Sequence, residues 1–155
     1  MIWTDSLPYF PRHELACKGT GVICLDIRFA VALPALRQKW TQPLTPTSVC
    51  RTPEHNRAIN DGKGGHPNSL HLTKNPKWPT SGTMAADIAW RTWADERKLA
   101  FAKLAYHMGW SVGLNDGFCH IDRRGDLALI NLPQAVFVYG GQWSGRFNPH
   151  DVMEW

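Results

Sequence analysis

The chain has 155 residues, of which 43% are hydrophobic and 19% are charged, and its net charge is +4. This length suits one domain with its own core, and the composition excludes a disordered chain. No apolar run approaches the ~18 residues of a membrane-spanning helix, so no transmembrane segment is predicted. Lys and Arg are scattered, which fits either an ordinary soluble surface or attraction to an anionic partner.

The first part of the chain is predicted to be mainly helical. Residues 8–17 indicate a turn or the start of a short helix. Over residues 26–40 the apolar side chains recur at helical spacing after an Asp that suits the N-cap, and Pro34 is expected to kink or divide this helix. Residues 44–49 favour a strand at a sheet edge, and residues 52–60 favour a helix with Pro near its first position.

The second part is predicted to supply most of the sheet. Residues 84–89 indicate a buried strand, and residues 92–108 form the clearest helix, which Gly109 should end. The short strands expected after this helix are 110–114, 117–122, 127–131 and 135–139. The predicted class is therefore α+β: a single domain over residues 1–155, with a mainly antiparallel sheet and flanking helices.

Three residues far apart in the sequence have the side chains of a catalytic zinc site. His71 follows a Gly-rich loop, Asp87 lies in the strand predicted at 84–89, and His120 lies in the strand predicted at 117–122. Such a set supplies three protein ligands and leaves a position open for water. Ligand distances of roughly 2.0–2.2 Å require rigid elements, which two strands would provide. Spacing alone is weak evidence, because a His and an Asp fifteen residues apart occur by chance in many chains.

Four short motifs in a fixed order make the signal more specific. They are Ser48 to Asn56, Ser69-Leu70-His71, Ala85-Ala86-Asp87-Ile88 and His120-Ile121-Asp122. Together they resemble the zinc-dependent D-alanyl-D-alanine carboxypeptidases and related murein endopeptidases, including phage endolysins. The resemblance covers about residues 8–125 and implies the compact α+β fold shared with the hedgehog signalling domain. Residues 126–155 carry no recognised motif and are expected to add strands to the sheet.

The resemblance also implies an activity and a set of roles. It implies hydrolysis of amide bonds in peptidoglycan stem peptides, with one zinc ion held by His71, Asp87 and His120. It implies that Arg51 holds a substrate carboxylate, for which its planar fork of donors is suited. Ser69 is expected to hydrogen-bond near the metal or the substrate.

The catalytic base is the role that the sequence leaves open. Many relatives place a carboxylate three residues before the last His ligand, where this chain has Gly117. Asp122 is then the main candidate, because residues 120 and 122 of a strand point to the same face. Asp122 could alternatively orient His120 from behind, and Asp116 is a weaker candidate for the base.

The chain departs from the motif pattern between the first two ligands. Fifteen residues separate His71 from Asp87, where the family normally has six, because residues 74–81 resemble an insertion. The inserted loop must bulge outward if both ligands are to reach one metal. Its length is tolerable, since doubling a loop costs only ~0.6 kcal/mol. Thr83 also stands where the pattern has Gly, and Val49 and Cys50 replace the usual Gly and aromatic residue before the Arg.

The remaining expectations concern partners and location. The sequence predicts a monomer that acts on stem peptides and binds neither nucleic acid nor membrane. The N-terminus has no basic and apolar leader, so we expect synthesis in the cytoplasm and action on the cell wall or periplasm, by phage-type release or from a virion. Two alternatives remain: a non-catalytic metal-binding module of the same fold, in a virion or at the cell wall, and a basic nucleic-acid binder, against which the scattered charge counts.

Overall fold

A computed structural model describes all residues of the chain, 1–155. Two long helices and three short ones surround a sheet. The helices are α1 (Arg12–Leu15), α2 (Ile27–Trp40), α3 (Pro53–Ala58), α4 (Asp95–His107) and α5 (Pro149–Met153). A 3-10 helix over Arg124–Leu127 follows the central strands. None of these helices has the length and apolar character needed to cross a membrane.

Seven strands form one small and one large sheet. They are β1 (Ile2–Trp3), β2 (Leu25–Asp26), β3 (Pro46–Ser48), β4 (Ala85–Ala89), β5 (Ser111–Leu114), β6 (Phe118–Asp122) and β7 (Val136–Val138). The first two form an antiparallel pair, and the others form a sheet of order β3-β4-β6-β5-β7. Every pairing in the large sheet is antiparallel except that of β5 with β7. The α+β class is confirmed.

The two faces of the large sheet have different compositions. One face carries apolar side chains such as Ile88, Ile121 and Val112, all fully buried. The core continues into the long helices. The ring of Phe29 in α2 packs edge-on against the ring of Trp110, with 5.8 Å between the ring centroids. Because side chains alternate along a strand, the neighbours of these apolar residues point to the opposite face. That second face carries the polar residues considered below.

Of the two effects expected of Pro34 in α2, a kink or a division of the helix, the structure excludes the division. Pro34 neither divides nor ends the helix, which is continuous from Ile27 to Trp40. Proline removes one backbone hydrogen bond from a helix interior. Phe29, Leu33 and Leu36 are completely buried on both sides of it, and this packing offsets the lost bond because most helical stability in proteins comes from tertiary contacts.

The predicted strand at 127–131 is wrong, and the C-terminal region adds one strand to the sheet instead of several. The chain turns into the 3-10 helix, and Ala128 adopts a left-handed conformation at φ 54°. Local side-chain bonds explain the turn: Arg123 pairs with Asp126 at 2.8 Å, and the Arg124 backbone N–H donates to Asp122. Side chains that hydrogen-bond locally compete with sheet pairing.

Candidate functional site

The sheet register places two of the predicted ligands side by side. Asp87 of β4 is paired directly with His120 of β6 in the antiparallel ladder. Directly paired residues have their side chains on the same face, with Cβ atoms about 4.5–5.5 Å apart. Both side chains therefore project together from the face opposite the apolar core.

His71 lies outside the strands and is fixed by three backbone contacts. Its carbonyl accepts from the backbone N–H of Arg51 at 3.0 Å and from the Thr83 hydroxyl at 2.8 Å. Its own N–H donates to the Ser69 hydroxyl at 3.2 Å. Thr83, which stands where the motif has Gly, therefore helps to hold the backbone of His71 in place. Its bond also ties the segment after the insertion at 74–81 to the segment before it. The inserted loop does not simply bulge outward as expected, because its Trp78 packs against the core.

The three residues converge on one point. The Asp87 Oδ1 atom lies 3.2 Å from Nε2 of His71 and 3.0 Å from Nδ1 of His120. One ligand atom from each residue lies within 4.8 Å of the other two, and all three residues are buried. Atoms bound to one tetrahedral zinc at about 2.0–2.2 Å lie roughly 3.4 Å from one another. The separations around Asp87 are close to that value.

The opposite ring nitrogens are held by acceptors. Nδ1 of His71 donates to the Val49 carbonyl at 2.8 Å, and Nε2 of His120 donates to Oδ2 of Asp122 at 2.8 Å. A carbonyl can only accept, so the lone pair of His71 is left on Nε2, which faces Asp87. Asp122 accepts from Nε2 of His120 in the same way, so Nδ1 is the nitrogen of that ring that a metal ion would bind in place of its proton. Bonds of this kind fix the tautomer and orientation of metal-binding histidines.

The buried carboxylate of Asp87 stays ionised and favours a positive charge beside it, on His120 or on a bound metal ion. Burial disfavours ionisation, yet the nearby His71 and His120 hold the pKa of Asp87 well below its usual range. Burial also opposes charge on His120, but hydrogen bonds to Asp122 and Asp87 outweigh it and raise the pKa to about 9. Two imidazole nitrogens and one carboxylate match the ligands that zinc takes in proteins. The residues present therefore fit a zinc ion, with His71, Asp87 and His120 as its ligands.

Asp122 is fully buried, and both of its oxygens are occupied. Oδ2 accepts from His120 and from the Arg124 guanidinium at 2.7 Å, while Oδ1 accepts from the backbone and side chain of Arg124. Burial opposes the charge, but these partners hold the pKa of Asp122 well below its usual range. This arrangement favours orientation of His120 over the role of base. The carboxylate of Asp116 is turned toward Ser144. It accepts one hydrogen bond from the Ser144 backbone N–H at 2.8 Å and one from the Ser144 hydroxyl at 2.9 Å.

Arg51 is bonded through its backbone N–H to His71, the first of the three candidate ligands. Its guanidinium donates to neutral oxygens, at 3.2 Å to the Asn56 side chain and at 3.5 Å to the Ser48 hydroxyl. No carboxylate lies within ion-pair distance of it, and the group is only partly buried. A positioned guanidinium without an acidic partner is suited to binding an anionic group from outside.

The insertion contributes one side chain, Trp78, to a cleft of about 300 Å³ that His120 also lines. Asn75 fixes the loop, since its amide donates to the carbonyls of Asn68 and Ser69 and its oxygen accepts from the N–H of Trp78. Trp78 lines the cleft together with Ser69 and His120. The structure therefore places Ser69 both behind His71 and at the cleft surface.

Sequence reasoning missed Tyr139, which lies just after β7 in the region without a motif. Its ring stacks on the ring of His120 at 4.3 Å with an interplanar angle of 6°, and it lines the same cleft. Gly113 of β5 makes room for this stack. A Cβ atom at this position would lie 2.8 Å from Cβ of Tyr139 and 3.1 Å from Cβ of His120. The only signal in the sequence was a Tyr in a predicted strand, and that signal is not specific.

We therefore predict that Gly113→Ala destabilises the site. The added methyl group would push apart the Tyr139 and His120 side chains, at an overpacking cost of about 1–3 kcal/mol. Urea unfolding should show that loss, and zinc titration should show weaker binding. Gly125→Ala is the matched control, because its Cβ would lie 3.4 Å from Gln134, an ordinary contact. Equal stability of the two variants would contradict this account of the stack.

Comparison with known proteins identifies the family. A family described as Peptidase M15 matches residues 8–122, which is well over half of the chain. The matched segment includes all three candidate ligand residues together with Arg51 and Ser69. Searches among curated proteins and among solved structures give no match. The chain belongs to the M15 family of peptidases.

Proposed function

We propose that the protein is a zinc-dependent peptidase that hydrolyses amide bonds in peptidoglycan stem peptides. The observation that carries this proposal is the convergence of two imidazoles and one carboxylate at a single buried point beside an open cleft. Membership of the M15 family supports hydrolysis of a peptide bond. The motifs around Arg51 and His120 resemble those of murein peptidases, which supports the stem peptide as substrate and the cell wall as the place of action.

In the proposed reaction, water adds to the carbonyl carbon of the substrate and the carbon–nitrogen bond breaks. The water oxygen stays on the new carboxylate, and both protons of the water end on the leaving amine, which departs as an ammonium group. A bound zinc ion supplies Lewis acidity, which activates water near neutral pH and polarises the carbonyl. His71, Asp87 and His120 would hold this ion, while Val49 and Asp122 keep the two imidazole rings in the required tautomer.

Arg51 is proposed to position the substrate. The backbone N–H of Arg51 donates to the carbonyl of His71, so the two residues are neighbours. A substrate carboxylate bound by the guanidinium would then bring a nearby amide toward the ligands. Stem peptides end in the carboxylate of a D-amino acid, which provides such a group. Ser69, at the cleft surface, is proposed to contact the same peptide.

We predict that Arg51→Met weakens recognition of the carboxylate and leaves the zinc site intact. Hydrogen bonds between charged groups contribute about 1.5–3 kcal/mol, which corresponds to roughly a 10- to 150-fold rise in KM. The measurement is steady-state cleavage of a synthetic stem peptide ending in D-Ala-D-Ala, compared with the same peptide as its C-terminal amide. On the peptide with the C-terminal amide, the variant and the wild type should have equal KM values, because the carboxylate that Arg51 recognises is absent. An equal loss on both peptides would assign Arg51 another role.

One observation favours a second candidate, a non-catalytic metal-binding module of the same fold. Asp122 is fully engaged by His120 and Arg124, and Gly117 occupies the position where relatives carry a carboxylate. Zinc binding at one ion per chain with no cleavage of stem peptides or of cross-linked muropeptides would identify this module. Release of D-Ala from the linear peptide would identify a carboxypeptidase, and opening of the cross-link alone would identify an endopeptidase.

A further inference from the structure

Tyr139 lines the cleft and carries a hydroxyl group to which the metal site described above gives no role. It lies outside residues 8–122, the segment that matches the family, and the sequence around it carries no motif. Its backbone is held on both sides, because its N–H donates to the Leu114 carbonyl at 2.9 Å and its carbonyl accepts from the Asn115 side chain at 3.0 Å. The phenol is thus carried by a fixed piece of chain beside the sheet.

The position of the ring is determined by the third ligand. The phenol lies parallel to the His120 imidazole at 4.3 Å, and Phe118 contacts its edge at 5.7 Å. Gly113 has no side chain where these rings approach β5, and a Cβ there would collide with Tyr139. The packing therefore holds an aromatic side chain against the ligand ring with little freedom to move.

The hydroxyl at the end of this ring has no hydrogen-bond partner within the chain, and the residue lines the cleft beside Ser69 and Trp78. The hydroxyl is therefore free to donate a hydrogen bond to a group that enters the cleft.

We propose that the Tyr139 hydroxyl donates a hydrogen bond to the carbonyl oxygen of the amide that is cleaved, and so stabilises the negative charge that develops there. A donor fixed in advance at such an oxygen is among the largest contributions to acyl-transfer catalysis. This inference rests on the proposed function, since it requires a peptide carbonyl in the cleft. It makes Tyr139 a catalytic residue from a part of the chain beyond the family match.

The test compares Tyr139→Phe with the wild type, both loaded with zinc. Phenylalanine keeps the stack on His120 and removes only the hydroxyl. We expect kcat on the D-Ala-D-Ala peptide to fall about 100- to 1,000-fold, as on loss of one oxyanion donor, with KM changed by less than about twofold because the donor acts on the transition state. Affinity for a phosphinate analogue of the peptide, a tetrahedral mimic, should fall by at least about tenfold.

Three controls separate this role from packing. Zinc affinity and the urea midpoint of Tyr139→Phe should equal those of the wild type. Tyr139→Leu, which also removes the stack, should in addition bind zinc more weakly. Tyr106→Phe, a hydroxyl deletion in α4, should change none of these quantities.

Each outcome decides between the explanations. Unchanged kcat and unchanged phosphinate affinity in Tyr139→Phe would overturn the inference while leaving the proposed function intact. Weaker zinc binding in Tyr139→Phe would reduce the residue to a packing role and would also overturn it. A wild-type protein that neither cleaves the peptide nor binds the phosphinate would overturn the proposed function, and the inference with it.

Discussion

Replacing Asp87 with Asn is expected to abolish both zinc binding and peptide hydrolysis while leaving the fold in place. Asp87 is the only carboxylate at the point of convergence, and its Oδ1 atom contacts both imidazoles. The amide has nearly the same volume but no charge, so the site loses the anion that a divalent ion requires. Loss of a residue that only hydrogen-bonds to a metal ligand lowers metal affinity about 10- to 100-fold. Loss of the ligand itself should cost more than about 100-fold.

The measurement is zinc titration followed by an assay of peptide cleavage, with His71→Ala as a second variant of the same site. His71 is fully buried and donates to the Val49 carbonyl, so its removal also takes away a fixed ligand. Asp61→Asn and His13→Ala, at exposed positions, are the matched controls and should behave as the wild type. Retention of zinc affinity and full activity in either site variant would refute the ligand assignment.

Asp122→Asn is expected to have the largest effect on stability. The carboxylate is fully buried and is bonded to His120 and to Arg124, whose side chain is only 20% exposed. Removing one partner of a buried ion pair leaves an uncompensated charge and costs about 3–5 kcal/mol. Zinc affinity should also fall, by about 10- to 100-fold, because the tautomer of His120 is no longer enforced by a charged acceptor.

This variant also separates the two roles considered for Asp122. A residue that orients His120 affects stability and zinc affinity together with activity. A catalytic base would lower kcat while zinc affinity stayed unchanged. Asp5→Asn is the control, since the Asp5–Arg12 pair is largely exposed and its loss should leave stability and zinc affinity unchanged. A variant as stable as the wild type, with unchanged zinc affinity, would contradict the positioning role.

The identity of the converging residues could be predicted because each one lies in a short motif, and because strands β4 and β6 have clear local patterns. Strand alternation predicted that His120 and Asp122 share a face, and their hydrogen bond is consistent with that prediction. It could not show which imidazole nitrogen Asp122 contacts, or that Arg124 occupies the rest of the carboxylate. Those facts depend on the turn that follows β6, where local ion pairs replaced the predicted strand.

Contacts between distant segments were beyond the reach of sequence reasoning. Tyr139 meets His120 only because β7 pairs in parallel with β5, a crossover that no local pattern indicates. Trp78 reaches the cleft because Asn75 fixes the insertion by side-chain hydrogen bonds to the chain before His71. Both depend on tertiary pairing, which overrides the propensity of the residues involved.

The proposed function requires a zinc ion at the point where His71, Asp87 and His120 meet, and hydrolysis of stem-peptide bonds there. In the most direct measurement, intact peptidoglycan is incubated separately with the zinc-loaded protein, with the protein stripped of metal by a chelator, and with Asp87→Asn. The released fragments are then identified by mass spectrometry. We expect fragments from one defined stem-peptide bond with the zinc-loaded protein alone, restored to the stripped protein when zinc is added back. Equal release by all three samples, or no release by the zinc-loaded protein, would contradict the claim.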